Sequence, residues 1–170
     1  MHKVLLCLFC VCVGPGRLPA QTTANTAFAK LQALNGDWEG TYAWSGGRNN
    51  TGKMFAHYYA TGNESAMVED LAVDGVPVMT TVYHMDGSDL RLTHFCAAQN
   101  QPRLKETAID PDGKRILFSF VDITNLRSPT AGHVHGLEVR FLEADHITLR
   151  FQFKSGDKDS DELIDLHRKK

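Results

Sequence analysis

The reactive groups in the middle of this chain lie in two short stretches, which hold His84, His94 and Cys96, and His133 and His135. On an extended strand alternate residues share a face, so His94 and Cys96 point the same way, as do His133 and His135. Imidazoles one residue apart are a usable spacing for zinc or a similar ion. The segment Gln99-Asn100-Gln101-Pro102-Arg103 follows directly. Its amides can orient carbonyl groups, and Arg103 offers a planar donor fork for a carboxylate or phosphate.

Three chemistries compete for these residues. In the first, the protein binds a small molecule, with His84, His94, Asn100, Gln101, Arg103, His133 and His135 as a polar rim around an apolar pocket. In the second, His84, His94, His133, His135 or Cys96 hold a metal ion or haem iron. In the third, the protein is an enzyme, with Cys96 as nucleophile and His94 its base, or with His and Asp/Glu in acid–base roles. Residues two apart on one strand face are about 6.5 to 7 Å apart at Cα, which strains a direct Cys–His hydrogen bond. The chain shows no nucleophile elbow, paired-carboxylate signature or phosphate loop. The binding reading is therefore carried forward, with no catalytic residue assigned and no cofactor specified. Against it stands a structural role for the histidines, with Asn100, Gln101 and Arg103 tying their loop to nearby backbone.

The pattern around these residues is that of strands. A short helix comes first: Asn25 or Thr26 can cap it, Ala27, Phe28, Leu31 and Leu34 recur at helical spacing, and Asn35-Gly36 stops it. After it the chain alternates with period two. Trp38, Gly40, Tyr42 and Trp44 share one face, then Met54, Ala56, Tyr58 and Ala60. Further runs cover 67–73, 76–85, 90–97, 104–110, 116–122, 135–143, 146–154 and 162–168, mostly separated by tight-turn residues such as Val-Asp-Gly and Asp-Pro-Asp-Gly. Leu90, Leu92, His94 and Cys96 form one expected inward face, and Val76, Val78, Thr80, Val82 and His84 another. His135 is expected to face inward with Leu137, Val139 and Phe141. About ten meandering strands close most naturally into an all-β, up-and-down antiparallel barrel, because closure removes the edges. Trp44, Tyr58, Met67, Phe118, Phe120, Phe141, Phe151 and Phe153 are its expected lumen. The longer connections 98–103 and 124–134 are the places to look for function.

Residues 1–20 read as a signal peptide: Lys3, the apolar run Val4 to Val13, and a small residue at Ala20. Ten apolar residues are too few for a bilayer core that needs about 20. The expected domain is thus 21–170, secreted or periplasmic, with no membrane span in the mature chain. Losing Lys3 and Arg17 leaves sixteen basic against twenty acidic side chains, which argues against nucleic acid as a partner. Only Cys96 remains of the four cysteines, so the apolar core must hold the fold without an internal disulfide. The pattern leaves oligomeric state open.

The run Leu34-Asn35-Gly36-Asp37-Trp38-Glu39-Gly40-Thr41 places Gly-x-Trp-x-Gly where the helix meets the first strand. This resembles the calycin superfamily of lipocalins, fatty-acid-binding proteins and haem-binding nitrobindins. The resemblance implies that Trp38 plugs the closed end of the barrel and that Arg168 packs over it. The strings Val82 to Gly87, Leu92 to Leu104, Asp122 to Asn125 and His133 to His135 resemble a group of uncharacterised bacterial exported proteins with a lipocalin-like barrel, which implies a fold rather than an activity. The Thr-Asp-Tyr element of kernel lipocalins is missing. Nitrobindin-like proteins bind haem through a late histidine, which nominates His167, yet an inward Arg168 would turn His167 outward.

Overall fold

A computed structural model describes residues 23–170; the expected signal peptide lies outside them. Helix α1 (Thr23–Gln32) precedes ten strands: β1 (Gly36–Gly46), β2 (Thr51–Thr61), β3 (Ala66–Val73), β4 (Val76–Asp86) and β5 (Asp89–Phe95) form the first half. The second half is β6 (Gln101–Ile109), β7 (Arg115–Thr124), β8 (His133–Glu143), β9 (His146–Ser155) and β10 (Lys158–Arg168). Every strand pairs antiparallel with its sequence neighbour, and β1 closes on β10, giving the expected up-and-down barrel. Among the described residues no helix is long and apolar enough to cross a membrane.

The helix begins at Thr23, before the expected cap, so Asn25 and Thr26 lie inside its first turn. It ends as expected: Leu34 and Asn35 donate back to Leu31 and Gln32, and Gly36 takes a φ of 120° that a side chain would resist. Ala24, Ala27, Phe28 and Leu31 bury one face of this helix against the barrel. The Trp38 indole donates to the Leu34 carbonyl at 2.7 Å. Arg168 lies 4.4 Å above the Trp38 ring and donates to the Ala33 and Asn35 carbonyls. One guanidinium thus answers two orphan carbonyls at the helix end while stacking on an aromatic face. Gly40 is equally constrained, since a Cβ there would collide with the Asp165 carbonyl across the β1–β10 seam.

The lumen is filled mainly by side chains. Leu71, Leu90, Ile116, Val139, Ile147, Leu149, Ile164 and Leu166 are fully buried, as are Tyr58 and Met67 of the expected lumen. Phe118, Phe151 and Phe153 are buried as well, with Trp44 and Phe141 packed against them. Phe120 lies outside that cluster, stacks instead on His135 and makes a tilted contact with His133.

Strand β4 differs from expectation by one residue. Its buried face is Thr81 and Tyr83, with Met79 and Met85 packed against the core; of the residues expected inward Val78 also packs there, while Val76 is exposed. The sequence is apolar on both faces here, so alternation does not discriminate. Met79, Thr81 and Tyr83 oppose inward Leu71, Glu69 and Met67 of β3, and a bulge at Leu71/Ala72 leaves Val78 without a partner there.

Candidate functional site

Four adjacent strands place polar side chains in one inward row. Tyr58 pairs with Glu69, Glu69 with Thr81, and Thr81 with His94. All four are fully buried. The hydroxyls of Tyr58 and Tyr83 donate to Glu69 Oε2 at 2.8 and 3.0 Å. Burial raises the Glu69 carboxyl to about 7, and the hydrogen bonds from Tyr58, Tyr83 and Thr81 pull back against that rise. Thr81 Oγ1 lies 2.9 Å from His94 Nδ1, and burial lowers the imidazole to about 4. Its ring packs against Phe151, tilted by 39°, with centroids 5.0 Å apart. Glu69 Oε1 and His94 Nε2 are buried with no hydrogen-bond partner among the described residues. Such orphan atoms are costly, on the order of 1–3 kcal/mol each.

Above this row, toward the end opposite the helix, a cavity of about 210 Å³ is lined by Trp44, Met79, Cys96, Phe151, Phe153 and Glu162, with Arg48 at its mouth. These residues come from opposite walls of the barrel, so the space is luminal. His94 and Thr81 lie one inward position deeper than Cys96 and Met79. The Arg48 guanidinium sits 4.4 Å over the Trp44 ring and 4.2 Å over the Phe153 ring. Glu162 is nearly buried, and desolvation raises its carboxyl to about 7 against the pull of Arg48 and a hydrogen bond from Trp44. Burial likewise pushes the Cys96 thiol up, the opposite direction from an activated nucleophile.

The expected rim does not assemble as one ring. His94 points inward, and Asn100 is buried, donating to the Gly132 carbonyl at 2.8 Å and holding an orphan Oδ1. His84 alternates with buried Tyr83 and pairs with Arg91 on the outer face. This corrects the inward placement of His84 and follows from the β4 register. His135 is exposed because a bulge between Val134 and Gly136 reverses the alternation, so Leu137 and Val139 point inward without it. His133, half-buried, pairs with Lys154 and lies within hydrogen-bond distance of the Ala131 carbonyl. The rings of Phe120, His133 and His135 meet just beyond Ser119–Gly136, where β7–β8 pairing stops.

Gln101 and Arg103 belong to β6 rather than to a loop. Gln101 accepts from the Thr124 hydroxyl at 2.9 Å. Arg103 is exposed and engages Asp122 through both Nε and Nη2, the latter at 2.6 Å. Its donor fork therefore braces β6 against β7 on the outer wall. The inward carboxylates were missed in the sequence, although Glu69 shares the face of Met67 and Leu71, and Glu162 that of Ile164 and Leu166.

Fold and site together define a closed ten-stranded antiparallel barrel with a small polar-based lumen. No family model and no curated protein matches the chain. Among solved structures it is similar to Rv2717c from M. tuberculosis, at 18% identity and a TM-score of 0.55, covering 85% of this chain and 98% of that one. It is also similar to a protein of unknown function of the DUF3598 family from Nostoc punctiforme, at 10% identity and a TM-score of 0.55. That match covers 82% of this chain and about half, 49%, of the other. Likeness at such identities extends to the fold alone.

Proposed function

We propose that this is an exported, lipocalin-like barrel that binds one compact, largely apolar molecule in the cavity beneath Arg48. The observation that carries this reading is the cavity itself, lined mainly by apolar side chains yet holding a nearly buried carboxyl at Glu162. A volume of about 210 Å³ is below the roughly 300–1,000 Å³ of drug-sized sites, so the ligand is small. Its body lies against Trp44, Phe151 and Phe153, and a hydrogen-bond donor or cationic group meets Glu162. Binding of such a group strengthens as pH rises through about 7, where Glu162 ionises. The calycin assignment draws support from the Trp38–Arg168 lock and from Gly40 at the seam. Export rests on residues 1–20 and is checked by the intact mass of protein recovered outside the cytoplasm.

Native mass spectrometry of gently extracted protein tests the reading, with one retained small molecule as the expected result. Screening small aromatic amines by methyl NMR gives a second readout, with shifts expected at Met79 and Val134, which both line the cavity, that weaken in Glu162→Gln. A protein that emerges empty, and whose luminal methyls ignore every such compound, would not be a binding barrel. Arg103→Ala should leave binding intact, since that guanidinium faces Asp122 outside.

A further inference from the structure

A second cluster lies on the outer wall, at the end of the barrel covered by the helix. His146 opens β9 and is the cross-strand partner of His167 near the end of β10. Their rings stack with centroids 4.0 Å apart. Asp165, two residues before His167, presents Oδ1 to both: 3.0 Å from His146 Nε2 and 3.5 Å from His167 Nε2. One ligand atom from each of the three residues lies within 4.8 Å of the other two. The scaffold beneath is rigid, because the intervening inward residues Ile147, Leu149, Ile164 and Leu166 are fully buried. The Asp145 turn beside His146 is held by Arg168, whose backbone N–H donates to the Asp145 carbonyl and whose Nε reaches Asp145 Oδ1 at 3.1 Å.

The geometry points to a surface site for a divalent transition-metal ion of the zinc type, held by His146, Asp165 and His167. With metal–ligand distances of about 2.0–2.2 Å, tetrahedral ligand atoms lie about 3.3 Å apart. The Asp165 separations of 3.0 and 3.5 Å bracket that spacing, and the two stacked rings, whose planes lie 23° apart, tilt away from each other to bring both Nε2 lone pairs onto one ion. Two imidazoles and a carboxylate are a borderline donor set that suits zinc or copper(II) better than calcium or magnesium. The register adds negative charge on either side: Glu143 pairs with His146, and Glu39 pairs with His167. Both are exposed. His167 is also exposed, which leaves an entry path and a coordination position for water.

Isothermal titration of zinc chloride into tag-free, chelator-treated protein of residues 21–170, which lacks Cys7, Cys10 and Cys12, tests this. One equivalent should bind, and His146→Ala and His167→Ala should each weaken binding by more than the roughly 10- to 100-fold typical of lost outer-sphere partners. His57→Ala serves as control, because His57 lies 2.7 Å from Asp37 but belongs to no three-ligand cluster among the described residues, and its loss should change nothing. Copper(II) supplies an independent readout: its resonance spectrum should show coupling to two imidazole nitrogens in the parent and to one in either variant. Absence of stoichiometric zinc binding, or binding indifferent to His146 and His167, would mean that Asp165 merely hydrogen-bonds two imidazoles and would overturn the assignment.

Discussion

Inside the wall, Glu69 and His94 flank Thr81; outside it, Asp165 sits between His146 and His167. The functional groups are the same, and each set is arranged by cross-strand register. What separates them is water. The inner row is fully buried, so desolvation drives each group toward its neutral form, the carboxyl up to about 7 and the imidazole down to about 4. The outer row keeps access to solvent, His167 most of all, and so remains open to exchange with ions. A polar row in a barrel lumen therefore behaves as part of the core, while the same chemistry one alternation away on the sheet behaves as a surface site.

The comparison breaks most visibly at His94. His94→Ala removes a fully buried ring packed against Phe151, and should cost about 3 kcal/mol at pH 7, within the roughly 2–5 kcal/mol of large-to-Ala changes in cores. Urea denaturation measures it. The cost is also expected to shrink in acid. Between about pH 4 and 6.5 the unfolded imidazole binds a proton that the folded one refuses, so the stability of the parent protein falls as pH drops through that window.

Glu69 has the opposite sign. Its folded carboxyl keeps a proton up to about pH 7 that the unfolded chain releases near 4.5, so its contribution is full below 4.5 and declines as pH rises to 7. At about 1.4 kcal/mol per pH unit, the stability difference between parent and Glu69→Gln should drop by about 3 kcal/mol across that range. Equal pH slopes for the two proteins would show that Glu69 is not desolvated as its burial implies.

How much of this was legible in the sequence differs between the two rows. Ten strands, the N-terminal helix and the inward His94 follow from alternation and turn chemistry, whereas the Trp38–Arg168 lock is what the calycin resemblance implies. The parity of β4 does not, because Val78 and Val82 compete with Met79 and Tyr83 for the same lumen. His135 is turned out by a bulge that composition does not encode. Arg103 looked like a ligand fork because its partner, Asp122, is identified only once β6 and β7 are in register. The outer cluster was within reach: His146 and His167 are equidistant from the tight turn at Gly156-Asp157, so the hairpin alone makes them partners.

The tyrosines give a smaller and sharper test of the inner row. Tyr58→Phe removes one of the two hydroxyls that donate to Glu69 Oε2, at a cost of about 1 kcal/mol. Because that hydrogen bond holds the carboxyl down, the Glu69 titration seen by carbon-13 NMR should move further upward. A downward move would mean that the hydroxyl does not donate to the carboxylate.

The smallest effect is expected on the outside. His167→Ala in the presence of chelator removes an exposed ring whose polar contact is with a carboxylate also open to solvent. Such pairs contribute little, and surface changes of this kind stay within about 0.5 kcal/mol. The same denaturation experiment that detects His94→Ala should therefore return the parent value here, and a loss near that of His94→Ala would show that the outer row is part of the fold rather than a site placed upon it.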